Sequence, residues 1–84
     1  MLNPNWAPAE QHIPHLLSDV MWMGTEQLHD RQVEQYKHID TRRYINLDHA
    51  GSAWQIAVHP STGELVARPI PFATALDHLG GEPR

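Results

Sequence analysis

The run from Arg42 to Pro69, RRYINLDHAGSAWQIAVHPSTGELVARP, alternates between β-prone and turn-forming residues, and that rhythm leaves few folds open. In the first segment Ile45 and Leu47 share one face and Tyr44 and Asn46 the other, as the two-residue period of a half-buried strand requires. Asp48 to Ser52 are small or polar, and Gly51 can take the positive φ of a hairpin turn. The second segment alternates Trp54, Ile56 and Val58 with Ala53, Gln55 and Ala57. It therefore has one large apolar face that something must cover. Pro60, Ser61, Thr62 and Gly63 supply a second turn, in which proline fixes φ, hydroxyls cap local amides and glycine turns left-handed. Leu65–Arg68 completes a three-stranded antiparallel meander, placed at an edge and stopped by Pro69, which lacks a ladder donor.

The flanks read as helices. Ile13, Leu16, Leu17 and Val20 stand at i, i+3, i+4 and i+7, with Pro14 near the first turn and Gly24 just after the end, the stripe and punctuation of a first helix. Thr25 as N-cap and the helix formers from Glu26 to about His38 predict a second, largely exposed helix. Phe72, Ala75, Leu76 and Leu79 repeat the helical stripe between Pro71 and Gly80, so a short C-terminal helix is expected to cover the Trp54, Ile56 and Val58 face. Residues 1–12, with Pro4 and Pro8 around Trp6, read as an extended arm; 13–80 form one α+β domain, and 81–84 a frayed tail. The expected fold is thus a three-stranded β-meander with two N-terminal helices and one short C-terminal helix packed on one face. Helix, sheet, helix is also the element order of double-stranded RNA-binding domains, which the chain resembles in topology. The final helix begins PFATALDH without Lys or Arg, so the basic helix start through which those domains bind is missing.

A chain of 84 residues without cysteine must rely on packing or association, since disulfides and thiolate chemistry are excluded. No segment has the length of a membrane span or the pattern of a secretory signal, and a cytoplasmic location is expected. Seven histidines are scattered along the chain. His12 and His15 straddle Pro14 without a carboxylate to complete a set, so no metal or other cofactor is expected. Ser18 beside Asp19, Ser52 near His49 and Ser61 near His59 sit in no nucleophile motif, and no phosphate loop is present; the chain does not read as an enzyme.

The remaining reading is an acidic protein-interaction module of net charge −4, recognising a protein partner or a second copy of itself. Proteins of this profile occur as phage or mobile-element accessory products that bind and inhibit a host protein, for example a nucleic-acid-binding defence complex. Trp6, Met21, Trp22 and Met23 are the surplus apolar groups that would anchor such a partner, with Asp30 and Glu34 offering exposed acidic charge. The alternative is a weak nucleic-acid-binding or regulatory domain using the basic cluster Lys37, Arg42, Arg43 and Tyr44. Arg42 is expected on the outer face with Tyr44 and Asn46, beside Gln55 of the next strand, a polar recognition surface. Arg42 and Arg43 also have Asp40, Asp48 and Glu64 as candidate ion-pair partners.

Overall fold

The computed structural model describes residues 4–28 and 30–80. The segment 81–84 expected as a frayed tail, the first three residues of the expected arm, and His29 lie outside the described residues. Helix α1 (Ala7–His12) and a 3₁₀ helix (Pro14–Asp19) lead into five strands, β1 (Val20–Gln27), β2 (Gln32–His38), β3 (Tyr44–Asp48), β4 (Ala53–Val58) and β5 (Leu65–Ile70), and helix α2 (Phe72–Leu79) follows. The strands form one sheet in the order β1-β2-β3-β4-β5, with every neighbouring pair antiparallel.

This corrects the expected three-stranded meander with two N-terminal helices, and with it the element order shared with double-stranded RNA-binding domains. Ile13, Leu16, Leu17 and Val20 do reach the core, but through a 3₁₀ turn followed by a strand rather than one α-helix. In β2, Val33 and Tyr36 lie on opposite faces and each is fully buried, so their spacing never had to form a helical stripe. Pairing on both sides, to β1 and to β3, overrides the helix preference of Glu34, Gln35 and Lys37. The arm is not wholly extended either, because Ala7–His12 is helical with Pro8 in its first turn.

Residues in register share a face. Leu47 lies opposite both Glu34 and Ala53, and Ile45 lies opposite Tyr36. This face carries the core of Val20, Tyr36, Ile45, Leu47 and Ala53, capped by Ala9, Ile13, Ala75 and Leu79. All the helical segments therefore cover the face bearing Ala53, where small side chains leave room for α2. Trp54, Ile56 and Val58 point the other way, contrary to expectation, and Val58 is 61 % exposed. The stripe of α2 itself is as expected, with Ala75 and Leu79 buried and Phe72 and Leu76 packed beside them. Strand β5 continues to Ile70, through Pro69.

Two loops are built alike. In each, a histidine imidazole Nδ1 accepts backbone amides two and three residues on: Asp40 and Thr41 from His38, and Ser61 and Thr62 from His59. The threonine hydroxyls then accept from Arg43 N and Glu64 N, and the residue after each threonine is left-handed, Arg42 at φ 64° and Gly63 at φ 75°. HIDTRR and HPSTGE are thus the same turn written twice, once with the glycine that the conformation favours and once with an arginine.

Candidate functional site

The sheet opens between β3 and β4. Their register holds only Asn46 opposite Trp54 and Leu47 opposite Ala53, and it does not continue to Tyr44 and Ile56. The β4–β5 ribbon stays paired over its whole length while it leaves β3. The gap is a cleft of about 440 Å³ lined by Tyr44, Asn46, Trp54, Gln55, Ile56, Arg68, Ile70, Thr74 and His78.

Asp48 fixes one end of this cleft. Its Oδ1 accepts from Ala50 N and Ser52 N at 3.0 and 2.9 Å, and its Oδ2 from Trp54 Nε1 and Arg31 at 3.1 and 3.0 Å. Burial opposes its charge, but the donors from Trp54, Ser52, Arg31 and Ala50 outweigh that and hold the carboxyl below its usual range. The Arg31 guanidinium also lies 5.0 Å from the centroid of the Trp54 ring, so the indole is held from its edge and its face. Inside the cleft Asn46 is 8 % exposed. Its Nδ2 donates to Trp54 O at 3.0 Å, while its Oδ1 is covered and has no partner. Leaving a buried acceptor unpaired costs about 1–3 kcal/mol.

The basic cluster lies at the other end. The Lys37 amine is 5.9 Å from the Tyr44 ring centroid, and Arg43 donates to His78 O at 3.4 Å. Arg42 is exposed on its left-handed backbone. The ion pairs found among the described residues join Arg31 to Asp30 and Asp48; Asp48 thus serves Arg31 rather than Arg42 or Arg43. Tyr44 and Asn46 share the open face as expected, whereas Gln55, in register with Arg68, belongs to the helix-covered side and reaches the cleft from there.

The anchors expected for a partner lie elsewhere. Trp6 packs on Tyr36 with ring centroids 5.6 Å apart. Met21 and Met23 are 41 % and 43 % exposed, the latter in the bulge of β1 between Trp22 and Gly24. Asp30 sits in the β1–β2 turn and bonds Arg31. Glu34 is not surface charge at all. It is fully buried because β2 is an inner strand, and its carboxylate accepts from Trp22 Nε1, Thr25 Oγ1, Gln32 Nε2 and Asn5 Nδ2 at 2.6–3.1 Å. Burial raises its pKa, but these four donors together hold the carboxyl below its usual range. Trp22 is therefore tied to the core side by its own indole N–H.

Sequence reasoning missed Trp54, Ile56, Arg68, Thr74 and His78 as neighbours of Tyr44 and Asn46, because the pairing of Asn46 with Trp54 and the parting of the strands beyond it follow from register, which neither strand carries alone. A usable signal was the polar Asn46 within an otherwise strongly β-prone strand. No group of three or more His, Asp or Glu side chains among the described residues is arranged to hold a metal ion, and no described helix is long and apolar enough to cross a membrane. Comparison with protein-family models, curated proteins and solved structures finds no match for the chain.

Proposed function

We propose that the chain is a protein-interaction module whose working surface is the β4–β5 ribbon and the cleft at its root. One observation carries this reading. The ribbon leaves β3 after two paired positions and displays Val58, Leu65 and Val66 at 61 %, 47 % and 47 % exposure, with Val58 and Leu65 on one face and Val66 on the other. Apolar side chains on both faces of a two-stranded ribbon gain little from the domain's own core, and a ribbon of this kind is stable chiefly when something packs on it. The surface anchors are then Val58, Leu65 and Val66, with Tyr44 lining the cleft at the ribbon's root, rather than Trp6, Trp22 and Glu34.

The test is capture from native-host lysate with the tagged chain, after nuclease treatment, comparing the parent with Leu65→Ser/Val66→Ser. A stoichiometric protein retained by the parent and lost by the variant, with circular dichroism unchanged, is the expected result. Equal capture by both, or capture that vanishes with nuclease, overturns the reading.

A further inference from the structure

We infer that the ribbon's partner is an extended, acidic peptide segment that adds as a strand to the inner edge of β4 at Ile56–Val58 and seats one end beside Tyr44. This rests on the interaction-module reading and names its ligand class.

The argument starts from hydrogen-bond alternation in an antiparallel ladder. Asp48 N donates to Ser52 O, so the same phase pairs Asn46 with Trp54 and turns the N–H and C=O of Ile56 and Val58 toward β3. On the other side His59 N donates to Glu64 O, which gives the β5-facing groups to Ala57, Gln55 and Ala53 and agrees with that phase. His38 N donates to Arg43 O, so Tyr44 turns its backbone groups toward β4. The ladder that would join Tyr44 to Ile56 is not formed. A strand edge with the spacing of a β-ladder is therefore open within the sheet.

The two outer edges are protected and this one is not. In β5 the same alternation points position 69 outward, where proline has no N–H, and β1 is bulged between Trp22 and Gly24; both features discourage strand addition. Ile56 and Val58 carry neither feature, and a backbone edge without them selects an extended chain. Asn46 adds a second element, an unpaired buried amide oxygen lining the cleft that a donor from an incoming segment would satisfy as the strands part.

Charge sets the composition of the segment. Four of the chain's six Lys and Arg residues gather here: Lys37 over Tyr44, Arg42 and Arg43 just before it, and Arg68 in the lining. In a chain of net charge −4, this local excess attracts carboxylates. Arg42 also holds a left-handed backbone position that the sister turn gives to Gly63, an outlier of the sort kept where the side chain is used.

The experiment screens displayed random linear decapeptides against the intact chain, then measures the selected peptides in solution against Val58→Pro and Val58→Thr. The proline removes the N–H turned toward β3 and leaves the β4–β5 bonds in place, while Val58→Thr alters the same apolar side chain but keeps that N–H. Selected peptides should be rich in Asp and Glu and bind Val58→Pro about tenfold more weakly than Val58→Thr, the worth of one backbone hydrogen bond. If Val58→Pro melts early, N-methylation along the peptide replaces it, and sensitivity at every second residue is the expected signature. No acidic enrichment, no alternation in the methylation scan, or equal binding to Val58→Pro and Val58→Thr would each overturn strand addition. So would competition for the same cleft by a single-stranded oligothymidylate that depends on Tyr44 and Trp54. Lysate capture lost with Leu65→Ser/Val66→Ser but unaffected by Val58→Pro would sink this inference while leaving the interaction-module reading intact.

Discussion

Replacing Glu34 by Gln probes the buried carboxylate on which the N-terminal segment and the first hairpin converge. Oε1 accepts from Trp22 Nε1 at 2.8 Å and Thr25 Oγ1 at 2.6 Å; Oε2 accepts from Gln32 Nε2 at 2.9 Å and Asn5 Nδ2 at 3.1 Å. Glutamine keeps one oxygen and turns the other into an amide NH2, which only donates. With that NH2 at the Oε1 position it faces the indole N–H, which cannot reverse. At the Oε2 position Gln32 can turn its amide round, but Asn5 cannot follow without losing Ala7 N, which its Oδ1 already holds at 3.1 Å. Either way one buried donor is left facing another donor, the amide NH2, and the remaining bonds lose their charge assistance. We expect a loss of about 2–4 kcal/mol, or a melting temperature lower by about 10–30 °C for a domain of this size.

The pH dependence supplies an independent sign. The folded state holds Glu34 below its usual range, so its contribution is complete above the unfolded value near about 4.3 and is lost as pH falls through the lower folded value. The stability gap between parent and Glu34→Gln should narrow over that window, while the parallel loss at Asp48 affects both proteins equally. Urea unfolding followed by circular dichroism, at neutral pH and in steps into acid, measures both quantities. A neutral-pH difference below about 0.5 kcal/mol, the ordinary scatter of surface changes, or a gap that does not close in acid, would refute the reasoning.

Arg42→Gly should raise stability by about 0.5–1 kcal/mol by relieving the left-handed position, and should weaken any acidic peptide selected on the cleft; denaturant midpoint and peptide titration read the two effects separately. Tyr36 is fully buried with its hydroxyl donating to Asn5 O at 2.7 Å, and burial pushes its pKa up to about 12. The neutral phenol is thus the folded form, and its contribution should persist below about pH 10 and fade as pH rises toward the folded value, visible as a late tyrosinate absorbance step that coincides with unfolding. A Cβ on Gly51 would stand 2.6 Å from the His12 ring, whereas one on Gly63 meets nothing within 4 Å. Both glycines are left-handed, so thermal melts should show Gly63→Ala costing about 1 kcal/mol for backbone strain alone and Gly51→Ala costing more.

The C-terminal half of the fold was legible because its punctuation and periodicity agree. Gly51 and Gly63 sit at positive φ where their turns need it, Ile45 and Leu47 are buried together, and Phe72 to Leu79 forms the expected helix. The N-terminal half misled because residue selection and element type came apart. Ile13, Leu16, Leu17 and Val20 are core residues at helical spacing, yet the chain between them is a 3₁₀ helix that turns into a strand. Glu34 hid the alternation of β2, since a buried carboxylate reads as solvent-facing until its four donors are known, and they come from Asn5, Trp22, Thr25 and Gln32. The face of β4 was misassigned for a related reason. Side-chain size argued for burying Trp54, but register with Leu47 buries Ala53, and register across a loop is not encoded in either strand alone. Of the site, the basic cluster around Tyr44 was visible locally; its meeting with Trp54, Arg68 and His78 depends on where β4 leaves β3, a property of the whole sheet.

The two paired positions between β3 and β4 also make the sheet mechanically uneven. Seven register pairs bind β1 to β2 and six bind β4 to β5, whereas β3 and β4 share two, Leu47–Ala53 and Asn46–Trp54, with the bonds of Asp48 to Ser52 and Trp54 just beside them. The ribbon's root is held further by the chain passing from Ile70 directly into α2, so its free tip at Pro60–Gly63 works as a lever about a fulcrum at Leu47 and Ala53. Pulled at the tip, the molecule would peel at that seam one rung at a time, while the β1–β2–β3 slab, loaded across several rungs at once, would keep its shape.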